Sequence, residues 1–201
     1  SLYMVESKSL KLYLNSFAMT PLNNIVEAIN IISKDLKEVL KTDVFVSYKN
    51  WFDTLEFTKI DKKYLLDFID IEVSDYNLNQ DILKTTQLTS KRDVVRYSNL
   101  FRSNCPITGQ PDYATILLKY RSDTIIDDTS LLKYIISFRN HWDYHENCCE
   151  KIFMDIHSLI KPDSLLVGTF FTRRGGIDIN PIRYSGVKFD KKYKNFHFWR
   201  Q

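Results

Sequence analysis

The feature that most constrains this chain is a loose internal repeat. Val5-Glu-Ser-Lys-Ser-Leu-Lys-Leu-Tyr-Leu-Asn-Ser-Phe17 and Ile126-Asp-Asp-Thr-Ser-Leu-Leu-Lys-Tyr-Ile-Ile-Ser-Phe138 align without a gap. Ser9, Leu10, Tyr13, Ser16 and Phe17 coincide with Ser130, Leu131, Tyr134, Ser137 and Phe138. Each copy predicts a first helix, opened by a Ser or Asp that can cap free backbone N–H groups.

A second helix follows in each copy. Thr20-Pro21 offers a cap and an N1 proline, after which Ile25, Ala28, Ile29, Ile32, Leu36, Val39 and Leu40 recur at helical spacing. Cys149, Ile152, Phe153, Ile156, Leu159 and Ile160 do the same in the later copy. A strand is expected after each second helix, Val44–Tyr48 and Leu165–Phe171. The later copy continues through Arg173-Arg174-Gly175-Gly176 into 177–183, a hairpin signal. Two strands, Val94–Phe101 and Tyr113–Tyr120, precede its helices. The expected class is α+β, with antiparallel sheets and helices on one face. Residues 81–201 form a β-β-α-α-β-β module, and residues 1–80 form a like module whose first hairpin is largely missing. Ser1–Val5, extended and apolar with no initiator Met, reads as the end of a strand whose partners precede this numbering.

Composition narrows the function classes. A 44% hydrophobic, 26% charged chain is ordinary for a soluble protein, and a formal charge of +3 is too slight to indicate a nucleic-acid or membrane partner. The sequence contains no apolar run able to span a bilayer and no signal peptide. Three cysteines, two of them adjacent, make a poor disulfide framework, so a reducing, cytoplasmic compartment is expected.

The chemistry concentrates in Ser103-Asn-Cys-Pro-Ile-Thr-Gly-Gln-Pro-Asp-Tyr-Ala114. Cys105 shares a stiff loop with Pro106 and Pro111, and Asp112 follows where a carboxyl group can exchange a proton with the thiol. A buried structural cysteine in an ordinary loop is the competing reading, and the loop alone does not displace it. His141, His145, Cys148, Cys149 and His157 raise the question of zinc. A packed or substrate-facing cluster is expected there instead, because Asp143 and Tyr144 stand where the helix begins. In the tail, Lys188–Arg200, basic and aromatic residues alternate, a pattern that can serve single-stranded RNA. Packing against a neighbouring module or subunit is the expectation for it, with no direct nucleic-acid partner.

Four motifs together carry a resemblance. Glu6-Ser-Lys-Ser-Leu-Lys-Leu-Tyr13 resembles the signature of the QueF nitrile reductases, and Cys105-Pro-Ile-Thr-Gly-Gln-Pro-Asp112 resembles their nucleophile loop. Tyr144-His-Glu146 resembles their substrate-binding His-Glu, and Arg173-Arg-Gly-Gly-Ile-Asp-Ile-Asn-Pro181 their late hairpin. The signature precedes the nucleophile loop, as in the two-module branch.

The resemblance implies tandem tunnelling-fold (T-fold) modules, a homodimer, and reduction of the nitrile of 7-cyano-7-deazaguanine (preQ0) to an aminomethyl group by two NADPH. It makes Cys105 the nucleophile of a covalent thioimide and Asp112 its proton carrier. Substrate contacts fall to Val5, Glu6, Ser7, His145 and Glu146, and cofactor contacts to Ser7, Lys8, Arg174 and Gly175. Lys11 and Arg173 are candidates on charge alone. No metal is implied, and no G-x-G-x-x-G unit supports a Rossmann mode. Two other readings stay open: a T-fold purine- or pterin-binding protein without reductase activity, and a zinc-dependent cyclohydrolase-like enzyme. A reversible Cys105–Cys148 disulfide is a further expectation if the helix start of Cys148 lies beside the loop.

Overall fold

The computed structural model describes residues 3–49, 58–186, 196–198 and 201, with the backbone alone for Lys8. Two compact units result, Ser1–Leu55 and Glu56–Gln201. The contact boundary lies ahead of the expected 80/81 division, and residues 58–84 pack along the second unit: Leu66 and Leu83 join its core, and the Leu66 N–H donates to Tyr97 O at 3.0 Å.

The second unit is built on one antiparallel sheet in the order β1 (Thr85–Asn104), β2 (Pro111–Ile126), β3 (Ser164–Phe171), β4 (Ile182–Ser185). Between β2 and β3 the chain forms α3 (Asp128–Ser137) and α4 (His145–Ile160). This is the β-β-α-α-β-β order expected. Period-two alternation assigns the sheet's two faces. Phe101, Ala114, Ile116, Leu118, Leu165, Val167 and Phe171 point toward α3 and α4, and meet Leu132, Tyr134, Phe138, Ile152 and Ile156 in the main core. Each such side chain contributes about 1.5–3 kcal/mol on burial. Leu117, Leu166 and Phe170 point the other way and are covered by Phe198. The described part of the tail therefore packs on its own sheet. The rest of the basic-aromatic run lies outside the described residues.

The first unit contains α1 (Ser7–Ser16) and α2 (Ile25–Leu40). Three expectations fail here. The Thr20-Pro21 start is displaced, because Asn24 caps α2 by accepting from the Glu27 N–H at 3.0 Å, while Thr20 Oγ1 donates back to Ser16 O. Val44–Tyr48 is not a strand, and Tyr3–Val5 is not either. A strand needs a neighbour to take its hydrogen bonds, and among the described residues this unit has none to offer.

The repeat is structural. Tyr13 Oη donates to Asp35 Oδ2 at 2.7 Å, and Tyr134 Oη to Asp155 Oδ2 at 2.7 Å. Ser16 and Ser137 donate to the carbonyls of those tyrosines, and Tyr13–Phe17 and Tyr134–Phe138 are both edge-to-face. Lys41 and Lys161 end α2 and α4 in the left-handed region, at φ 50° and 40°.

Candidate active site

The β1–β2 hairpin brings the motif residues of the second unit to one end of the sheet. Asn104 pairs with Pro111, and Ser103 with Asp112, so Cys105 sits just beyond the last pair and Asp112 one pair inside. The loop is closed tightly: the Cys105 N–H donates to Gln110 O, and the Gly109 N–H donates to Cys105 O, both at 2.9 Å. Gly109 adopts φ +66°, and a Cβ there would meet the Trp142 ring at 3.2 Å, so this position needs glycine twice over. The Thr108 N–H donates to Cys105 Sγ at 3.4 Å, and the residue is 2% exposed.

Asp112 is 3% exposed and is bracketed by two bases. His145 Nε2 lies 3.2 Å from Oδ2, and Arg174 Nη1 contacts Oδ1. His145 is the first residue of α4, and its ring stacks on Phe171 of β3 at 3.7 Å and 9°. That stack fixes the imidazole plane and leaves Nδ1 buried without a protein partner. Such an atom is costly to leave unpaired, about 1–3 kcal/mol, and marks a place where a ligand donor fits. Glu146 follows, half-buried in the first turn of α4.

Arg174 reaches the site from the hairpin after β3. Gly175 and Gly176 both have positive φ, at 59° and 80°, and the Arg174–Ile177 pair closes the two-residue turn that Gly-Gly signalled. Arg174 also contacts Gln110 Oε1, whereas Arg173 is tied to Asp178 by two hydrogen bonds, of 3.0 and 2.8 Å. Gln110 and Phe171 are site residues that motif reading passed over. Phe171 was visible only as one apolar position in a strand, and the role of Gln110 depends on a hairpin more than sixty residues away.

The remaining cysteines are inert by environment. Burial pushes the Cys148 thiol up to about 12 and the Cys149 thiol up to about 11, so both stay neutral at physiological pH. None of the three cysteines is in a disulfide among the described residues, and Cys148 is fully buried. This environment does not poise Cys148 for thiol exchange. Among the described residues no group of three or more His, Cys, Asp or Glu is arranged to hold a metal ion. No helix among them is long and apolar enough to cross a membrane.

In the first unit, Val5 and Glu6 precede α1, and Ser7 and Lys8 open it. The Glu6 carboxylate accepts from Ser9 N–H at 2.7 Å and from Ser9 Oγ at 2.8 Å, a helix cap. Its counterpart Asp127 caps α3 through the Ser130 N–H at 2.8 Å.

Comparison with known proteins finds relatives along the whole chain. Residues 111–189 match the family model of QueF-like protein, and residues 1–48 match that of the N-terminal part of nitrile reductase, 7-cyano-7-deazaguanine-reductase. NADPH-dependent 7-cyano-7-deazaguanine reductase of Coxiella burnetii is 39% identical over the whole chain, which covers 70% of that protein. The Desulfotalea psychrophila protein of the same name is 42% identical over 90% of the chain and 65% of its own length. That of Buchnera aphidicola is 38% identical over 90% of the chain and 69% of its own. The chain thus spans about two thirds of these relatives. A solved structure, archaeosine synthase QueF-Like in the apo form, covers 51% of the chain at 16% identity with a TM-score of 0.44. With family models matched at both ends of the chain and relatives 38–42% identical along 90% or more of it, this chain belongs to the QueF family of nitrile reductases.

Proposed function

We propose that this chain, within its full-length protein, reduces the nitrile of 7-cyano-7-deazaguanine to an aminomethyl group at the expense of two NADPH. The observation that carries the reading is the enclosure of Cys105 and Asp112 at the hairpin end, with Asp112 held between His145 and Arg174. A nitrile carbon is a modest electrophile, and thiolate addition turns it into a C=N group that is easier to reduce. Cys105 Sγ bonds to the nitrile carbon, and Asp112 takes the thiol proton and passes it to the nitrile nitrogen. NADPH, when bound, supplies two hydrides. The Cys105 thiol leaves, regaining its proton, after the first hydride has been added, and the second hydride completes the amine, each hydride being matched by one proton from solvent.

The base presents ring and exocyclic N–H donors, which a carboxylate accepts as a pair. Glu146 is assigned that role and His145 a place next to the reacting carbon; Val5, Glu6 and Ser7 are assigned substrate contacts by the family resemblance. Residues that fit the cofactor are present in each unit. Ser7 and Lys8 lie in the first turn of α1, where free N–H groups suit phosphate. Arg174 adds a fork-shaped cation, and Gly175 an open turn. The tandem-module organisation, a homodimeric assembly, a cytoplasmic location and action on the free base rather than on RNA complete the proposal.

The test is the intact mass of the full-length protein after incubation with preQ0 alone, beside Cys105→Ala. A gain of one preQ0 mass, lost in the variant and discharged by NADPH, is the expected result. A folded protein that gains no mass refutes the nucleophile and leaves a binding role.

A further inference from the structure

Arg174 stands in an unexpected place for a residue assigned to cofactor phosphates. Its two contacts, Nη1 to Asp112 Oδ1 and Nη2 to Gln110 Oε1, both fall on the loop that carries Cys105. Gln110 also gives its backbone carbonyl to the Cys105 N–H at 2.9 Å, so one residue is gripped by the nucleophile's backbone and by the arginine fork. Arg174 itself rides on a two-residue glycine turn closed by a single residue pair. Its neighbour Arg173 is engaged elsewhere, on Asp178. A guanidinium fork fits a carboxylate and a phosphate equally well, and the same N–H groups cannot serve both at once.

We infer that Arg174 is a latch shared between two anions. In the free chain it locks the nucleophile loop through Asp112 and Gln110, and a cofactor phosphate draws it away. The inference rests on the nitrile reductase reading and extends it, because the affinity for cofactor is then set in part by the loop that attacks the substrate. Asp112 and Gln110 compete with the cofactor for the same cation. Because apparent affinity scales with the fraction of chains in which Arg174 is released, weakening the latch tightens cofactor binding until the released state dominates. Loss of a catalytic loop residue therefore improves cofactor affinity, the opposite of what ordinary damage to a site does.

The experiment is a calorimetric titration of the full-length protein with NADPH, without preQ0. It compares wild type, Asp112→Asn, Gln110→Ala, Arg174→Ala, and each loop variant combined with Arg174→Ala. Asp112→Asn is expected to lower the Kd for NADPH about 5- to 10-fold, and Gln110→Ala about 2- to 3-fold. Arg174→Ala raises the Kd, and in its presence neither loop substitution changes it further. Gln110 is exposed, and its replacement alters no charge. It therefore separates the latch from simple removal of a negative charge, and it answers the question even if Asp112→Asn does not fold. Equal Kd values in wild type and both loop variants overturn the latch alone, as does an Asp112→Asn gain that persists without Arg174. A wild-type protein that takes up no NADPH overturns the reductase reading and the latch together.

Discussion

The two helix pairs of this chain repeat each other bond for bond and differ in what covers them. In α3 and α4, Leu132, Tyr134, Ile152 and Ile156 are at most 1% exposed against the sheet. Among the described residues of α1 and α2 only Ala28 is buried, while Leu12 is 69% exposed and Val39 63%. Yet the Tyr–Asp hydrogen bond, the serine behind it, the edge-to-face ring pair, the acidic cap and the left-handed lysine all recur. Local sequence therefore dictates the internal geometry of a helix pair, and the sheet decides how much that geometry is worth.

The largest effect expected from this comparison is on activity. Glu6 and Asp127 both cap a first helix, but only Glu6 is assigned a substrate contact. Glu6→Gln keeps an acceptor for the Ser9 N–H and removes the carboxylate, and is expected to lower kcat/KM roughly 100-fold with the fold intact. Asp127→Asn leaves kcat/KM near that of wild type. Equal activity in the two variants would make Glu6 a cap and nothing more.

Next comes packing. Ile156 and Leu36 occupy matching positions, one residue after Asp155 and Asp35. Ile156→Ala opens a cavity against the sheet and is expected to cost about 2–5 kcal/mol. Leu36, only half-buried, is expected to cost about 1 kcal/mol as alanine. Urea unfolding of each variant measures the two, and a similar loss at both positions would show that α2 is covered in solution as fully as α4.

Legibility in the sequence followed the same division. The helix pairs, β3 and the Gly-Gly turn announce themselves through spacing and turn chemistry, which are local. Val44–Tyr48 has the composition of a strand, yet strand formation depends on a partner that composition does not report. The Thr20-Pro21 signal is equally genuine chemistry, outcompeted by Asn24, four residues on from Thr20, which accepts from the Glu27 N–H. At the site, Cys105, Asp112 and His145 were readable because motifs keep them in short segments. Gln110, Phe171 and the grip of Arg174 on Asp112 were not, since each is a contact between segments distant in sequence.

A third, smaller contrast concerns the tyrosines. Burial, then the hydrogen bond to Asp35, pushes Tyr13 up to about 12, and the same causes with Asp155 raise Tyr134 further. An unfolded tyrosine ionises near pH ~10. The folded chain holds both phenols neutral, so their contribution to stability is complete below that pH and is lost as pH rises through the folded values. Unfolding free energy should fall between pH ~10 and ~12, and Tyr134→Phe should flatten that fall more than Tyr13→Phe. At neutral pH, Tyr134→Phe also deprives the buried Asp155 of a donor, at a cost of about 1–3 kcal/mol.

The smallest effect tests the claim most sharply, because it should be identical in the two copies. Lys41 and Lys161 hold φ 50° and 40°, where a Cβ crowds the following carbonyl and glycine does not. Lys41→Gly and Lys161→Gly should therefore each stabilise the last turn of their helix, by about 0.5–1 kcal/mol. Hydrogen exchange of the final amides of α2 and α4 reads that gain locally, free of the difference in burial between the pairs. Equal slowing in both would establish that the repeat fixes backbone conformation by sequence alone. A gain at Lys161 without one at Lys41 would mean that even the helix terminus takes its geometry from the sheet, and that the likeness of the two pairs is imposed by packing.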